Sequence, residues 1–268
     1  MQQNFLQEIH RWFRDYVDDF RGPDGRLPSL LQLKLEHSLR VAEDARAVAC
    51  DLGWSNADVN TAEAIGILHD VGRFSQYVEF KTLSDRHSIN HAERSWKVVD
   101  EEIVLSGVST TDCQRIKDAI LYHNQIEIPA DASKDSLPFV QLIRDADKLD
   151  IFMLFHEMAS NDKLEEHPEL LFGVPMEGPA NPELVDMIRS RRNVPFSMIK
   201  SLTDFKLIQM SWVYDIHYPP AFERIDQRNI IGKLESLLPS SPEAREVADM
   251  ARGHVAKKKM RRSPQPHL

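Results

Sequence analysis

Cysteine is nearly missing from this chain. Cys50 and Cys113 are the only two in 268 residues, and they fall on separate predicted helices. That excludes a disulfide framework and suits a reducing compartment. Long apolar runs are missing as well: nothing approaches the ~18 apolar residues that a membrane span needs, so no membrane association is expected. The opening stretch, MQQNFLQEIHRWFRDYVDDF, carries acids in an amphipathic pattern where a secretory leader would have an unbroken apolar core, and no leader is expected. An excess of basic residues is also lacking. The net charge of −9 argues against an extended nucleic-acid footprint. What remains, with 42% apolar and 28% charged residues, has the balance of a globular cytoplasmic protein with a sizeable core.

Strand-type alternation is scarce, whereas helical spacing is everywhere. Leu31, Leu35, Leu39, Ala42, Ala45 and Ala49 recur at three- and four-residue steps, which predicts a helix over 30–52 that Gly53 ends. Ser55 or Asn56 can cap the next one, which carries Ala62, Ile65 and Leu68 down to His69. Further helices are predicted near 88–104, 110–123, 135–159, 181–190, 200–216, 219–237 and 242–260. The expected fold is all-α: one helical domain with a motif-bearing core over about 30–155 and a helical extension over about 180–260. RGPDGRLP at 21–28 reads as a loop, and SQYVEFKTLSDRHS at 75–88 reads as irregular. The Pro- and Gly-rich stretch at 167–182 reads as a lid-like excursion or a boundary. The basic cluster in 257–268 reads as a solvated terminus.

In AIGILHDVGRF, residues 64–74, an apolar helical run ends on an imidazole and a carboxylate, His69 and Asp70. Neither group is comfortable beside a core without compensation, and a metal ion would compensate both. Other groups stand at comparable apolar margins: His37 in KLEHSLRV, His91 in SINHAERS, His123 in AILYHNQ and Asp147 in IRDADKLD. Taken singly, each has an ordinary structural explanation, as a hydrogen-bonded imidazole or a paired acid. His37 lies at the edge of its apolar arc. On the predicted helix over 135–159, the wheel does not choose among Asp145, Asp147 and Asp150.

The order of the set says more than any member. One histidine, a contiguous His-Asp and a distal Asp resemble the HD-domain phosphohydrolase superfamily. The HDxG form, His69-Asp70-Val71-Gly72, carries the resemblance, and the Ala-Asp-x-Leu match selects Asp147. His91 and His123 stand where the binuclear branch of that superfamily has its additional ligands. The resemblance implies a helical fold and a metal set of His37, His69, Asp70, His91, His123 and Asp147, and it leaves residues beyond about 160 undescribed.

Four imidazoles and two carboxylates exceed what one metal can use while still holding substrate and a reactive water. Two metals can divide them, with Asp70 as the bridging candidate. A mixed nitrogen and oxygen set suits Mn, Fe, Co, Ni or Zn better than Ca or Mg. Two such divalent cations, about 4 Å apart, activate water and hold phosphate oxygens for in-line attack. The charge that develops calls for basic partners, and Arg73 and Lys148 are the candidates, beside Asp70 as the catalytic carboxylate. His87, four residues before His91, is a possible contact of substrate or of a ligand; Asp85, Ser84 and Ser88 read as caps, and Asn124 reads as a helix-end cap ahead of a donor to a substrate oxygen.

The leading expectation is hydrolysis of a phosphomonoester or phosphodiester of a nucleotide or another small molecule. Some binuclear relatives of this scaffold instead use a mixed-valent di-iron pair to activate oxygen, and a non-catalytic nucleotide sensor is a third reading. No GYP signature follows the site, which gives no support to cyclic dinucleotide specificity.

Overall fold

The computed structural model describes residues 1–102, 104–160, 175, 178–191 and 194–260. The fold is all-α, with no strand among the described residues. The chain divides into two compact units, Met1–Asp147 and Lys148–Leu268.

In the first unit, α1 (Gln3–Asp18) buries Leu6, Ile9, Phe13 and Val17 along one stripe. α2 (Ser29–Asp51) packs against α3 (Asn56–Leu68). Small residues let their backbones approach closely: a Cβ on Gly66 would lie 2.4 Å from Ala42 Cα. α2 stops as expected, since Gly53 has φ +71 and donates to Cys50 O at 2.9 Å. Of the two candidate caps for α3, Ser55 takes the place, its Oγ accepting from Asp58 N at 3.2 Å. The spacing rule erred on one residue of α2. Leu39 is exposed, whereas His37, at the edge of the apolar arc, is fully buried, as a group facing an internal cleft should be. The buried face also includes Ser38 and Asp44, so polar residues share the interior side that apolar spacing assigned to leucine.

After α3 the chain turns through His69–Val71 and restarts as α4 (Gly72–Phe80). Much of the stretch expected to be irregular is therefore helix. Apolar periodicity missed it because the buried side includes Gln76, whose Nε2 donates to Asp85 Oδ1, Ser88 Oγ and Ile89 O. Lys81 ends α4 in the left-handed region, with φ 55. A 3₁₀ turn (Asp85–His87) leads to α5 (His91–Glu101), capped by Asn90 and not by Ser88, three residues later than the spacing predicted. α6 (Thr110–Tyr122) is capped by Ser109, and α7 (Leu137–Ser160) follows.

The second unit begins within α7, at Lys148, and holds α8 (Pro182–Arg189), α9 (Leu202–Ser211), α10 (Pro219–Gln227), α11 (Ile230–Ser236) and α12 (Pro242–Lys259). Two predicted helices are divided. The one over 200–216 gives way to a 3₁₀ turn at Trp212–Asp215. The one over 219–237 breaks at Asn229, whose φ of 50 is left-handed, a conformation Asn tolerates better than most residues. Most of the 167–182 stretch lies outside the described residues, as does 261–268 of the basic tail. Among the described residues, no helix is long and apolar enough to cross a membrane.

Gly66→Ala should destabilise the first unit, because overpacking against a backbone typically costs about 1–3 kcal/mol. The check is urea denaturation of the metal-free protein. A lowered midpoint is expected, and an unchanged one would contradict the close approach of α2 and α3.

Candidate metal centre

Helix ends build this site. His69 is the residue that ends α3, and His123 is the residue that ends α6. The last carbonyls of a helix lack intrahelical partners, and both imidazoles exploit this in the same way. His69 Nδ1 lies 2.8 Å from Gly66 O, and His123 Nδ1 lies 2.7 Å from Ile120 O, each three residues back. The carbonyl can only accept, so Nδ1 carries the proton and donates. The Nε2 lone pair of each ring then points away from its own helix. His91 reaches the same state by another route. It is the first residue of α5, and its Nδ1 donates to Asp85 Oδ2 at 2.5 Å.

These rings converge on Asp70. Asp70 Oδ2 lies 3.6 Å from His37 Nε2 and 3.7 Å from His69 Nε2. Asp70 Oδ1 lies 3.5 Å from His91 Nε2 and 3.9 Å from His123 Nε2. Each oxygen of one carboxylate thus faces its own histidine pair. Asp147 joins the first group, with Oδ1 at 3.1 Å from His37 Nε2 and 3.8 Å from His69 Nε2. Two groups of metal-competent donor atoms result, His37–His69–Asp70 and Asp70–His91–His123, each within 4.8 Å. All six residues expected from the sequence come together. His37, His69, Asp70, His91 and His123 are buried.

The charge states suit cation binding. Burial pushes His91 and His123 down to about 4, reinforced by the Arg73 guanidinium for His91 and by His69 for His123. Burial also lowers His69. These rings are therefore neutral near pH 7 and keep their lone pairs. Burial would raise Asp70, but the Lys34 ammonium and Arg73 hold its carboxyl well below the ordinary range. Asp147 is likewise held down against burial, chiefly by its hydrogen bond with His37.

Two observations test the fit of a metal. His91 Nε2 and His123 Nε2 lie 3.1 Å apart, and both Nδ1–H groups are already donated elsewhere. Two lone pairs therefore face each other, an arrangement that a cation relieves. Beside them, Asp70 Oδ1 is buried with no hydrogen-bond partner, which is costly for a carboxylate oxygen. Neutral imidazole nitrogens and carboxylate oxygens are the donor set of a divalent transition metal. The residues fit.

Spacing and motif did not reveal every residue of the site. Lys34 lies one helical turn before His37, and its Nζ is 2.7 Å from Asp70 Oδ2. The three-residue step placed it on the His37 face, and that was the available signal. Asp85 read as a cap, yet it bonds His91 and Arg73. Asn124 does not serve as the helix-end cap; its Nδ2 donates to Asn90 Oδ1 at 2.9 Å. His87 is exposed in the 3₁₀ turn, and α5 begins too late for it to share a helical face with His91.

The two basic candidates differ. Arg73 Nη1 donates to Asp85 Oδ1 at 2.8 Å, to Gln76 Oε1 at 3.0 Å and to Leu83 O. Its Nε lies 3.5 Å from Asp70 Oδ1, buried and without a hydrogen-bond acceptor. Lys148 belongs to the second unit, where its Nζ pairs with Asp215 Oδ2 at 2.8 Å.

Residues 35–151 match the HD domain family. No curated protein and no solved structure matches the chain. HD domains bind divalent metals, and most are metal-dependent phosphohydrolases. The matched segment carries all six converging residues, so the likeness to the HD domain family rests on the part of the chain that builds the site.

Proposed function

We propose that this chain is a metal-dependent hydrolase of small phosphate esters, a nucleotide among them, with two divalent transition-metal ions sharing Asp70. The observation that carries the reading is the division of one buried carboxylate between two histidine pairs. His37, His69, Asp147 and Asp70 Oδ2 would hold one ion, and His91, His123 and Asp70 Oδ1 the other. Bound there, such a pair supplies a hydroxide nucleophile near neutral pH and Lewis acidity toward phosphate oxygens.

The chain's own residues prepare the site for that chemistry. Asp70 and Asp147 remain ionised, and His69, His91 and His123 remain neutral, so these five groups already have the protonation state that a cation needs. Lys34 balances the charge of Asp70 through its hydrogen bond to Oδ2. Arg73 is held through Nη1 on three acceptors, which leaves its buried Nε–H as a preset donor beside Asp70. A phosphate oxygen is the natural acceptor for it, and the donor needs no reorganisation as charge develops. Arg73 is better supported in this role than Lys148, whose ammonium rests on Asp215.

Elemental analysis of protein purified without added metal should find two transition-metal ions per chain, and a phosphate-ester panel should find turnover that persists without oxygen. Asp70→Ala should lose both ions and all turnover while the helical circular-dichroism signal stays. Normal metal content in that variant, or strict dependence on iron and oxygen, would overturn the reading.

Metal should also stabilise the fold. At about 100 times its Kd, one ligand adds about 2.7 kcal/mol, so metal-free protein should melt several degrees lower than loaded protein. Equal melting temperatures with and without chelator would count against metal binding at these residues.

A further inference from the structure

We propose that Asp85 is the positioning residue of the His91–His123 half of the centre. Its carboxylate sets the tautomer and direction of His91, and Arg73 and Gln76 set the carboxylate. This role rests on the two-ion reading above.

The need for such a residue follows from where His91 stands. His69 and His123 lie at C-terminal helix ends, where a spare carbonyl three residues back fixes Nδ1–H. His91 is the first residue of α5, so the position three back is Ser88, in the loop. No helical carbonyl of its own is there to accept from it. Asp85 supplies the acceptor instead: Oδ2 takes the Nδ1–H of His91 at 2.5 Å and lies 3.4 Å from its backbone N–H. With its Nδ1–H given to Asp85, His91 keeps Nε2 as the lone pair facing Asp70 Oδ1. A negative group at this position also suits the positive N-terminal end of α5.

The carboxylate is itself clamped. Oδ1 accepts from Arg73 Nη1 at 2.8 Å and from Gln76 Nε2 at 3.1 Å, both on α4. Gln76 is fully buried and also bonds Ser88 Oγ at 2.8 Å and Ile89 O at 3.0 Å. The loop is thereby fastened to α4 on the far side of Asp85 as well. Both oxygens of Asp85 thus face donors, which leaves it an acceptor. The same arrangement explains why Arg73 keeps Nη1 away from the cluster while Nε remains beside it.

Carboxylate partners of this kind are generally worth about 10–100-fold in metal affinity. Metal-free protein should be titrated calorimetrically with Co²⁺ for the unaltered chain, Asp85→Asn and Asp85→Glu. The unaltered chain should bind two ions. Asp85→Asn should weaken one of them about 10–100-fold and leave the other near its original affinity, and Asp85→Glu should recover part of the loss. Gln76→Met, which removes a donor from Asp85 without touching His91, should weaken the same ion by a smaller factor. Two ions bound with unaltered affinities in Asp85→Asn, or equal weakening of both, would overturn the role of Asp85 alone. Failure of the unaltered chain to bind two ions would overturn the two-ion reading and this role with it.

Discussion

The site hangs on a single buried carboxylate whose two oxygens are asked to do different things. On one side Asp70 Oδ2 meets the ammonium of Lys34 at 2.7 Å and the His37–His69 pair. On the other side Oδ1 meets two imidazole nitrogens and, at 3.5 Å, the Arg73 Nε, but takes no hydrogen bond. A buried anion is tolerable only when its charge is balanced and its lone pairs are used. Lys34 and Arg73 supply most of the balance from the chain itself, but they leave Oδ1 unused. The half that Lys34 does not reach is the half in which two imidazole lone pairs face each other. The missing charge is thus local and positive, and it has a fixed place.

Packing explains why this carboxylate stays where it is. Gly72 follows two residues later, and a Cβ there would lie 2.4 Å from Ser95 N, so α4 and α5 approach as closely as their backbones allow. The Gly72 N–H donates to Ser95 Oγ at 2.9 Å. Tyr16 from α1 donates to Val71 O at 3.4 Å. The turn His69–Val71 is therefore pinned from α1 and from α5, and the glycine of the HDxG motif serves packing as much as chain direction. A site built on helix ends rather than on a flexible loop gains the rigidity that convergent ligands need.

The legible parts of the molecule were those with a local physical signature. An apolar run that stops at His69–Asp70, a glycine beyond it, and the serine before α3 all announce themselves within a few residues. The all-α class followed from spacing alone. What stayed hidden depends on partners far along the chain or on polar burial. Gln76 replaces an apolar residue on the inner side of α4, so α4 read as loop. Asp85 has the appearance of a cap until His91 and Arg73 are seen on either side of it. Lys34 is an ordinary helical lysine in sequence and becomes a counter-charge only when α2 meets the turn after α3. The breaks at Trp212 and Asn229 were invisible because the surrounding apolar spacing runs straight through them.

The central claim is that one carboxylate joins two cations. Electron paramagnetic resonance of protein loaded with two equivalents of Mn²⁺ tests it most directly, because ions bridged by Asp70 interact magnetically. The account predicts an exchange-coupled spectrum that collapses in the absence of the Asp70 carboxylate. The six-line signal of isolated, magnetically independent Mn²⁺ at full loading would contradict it.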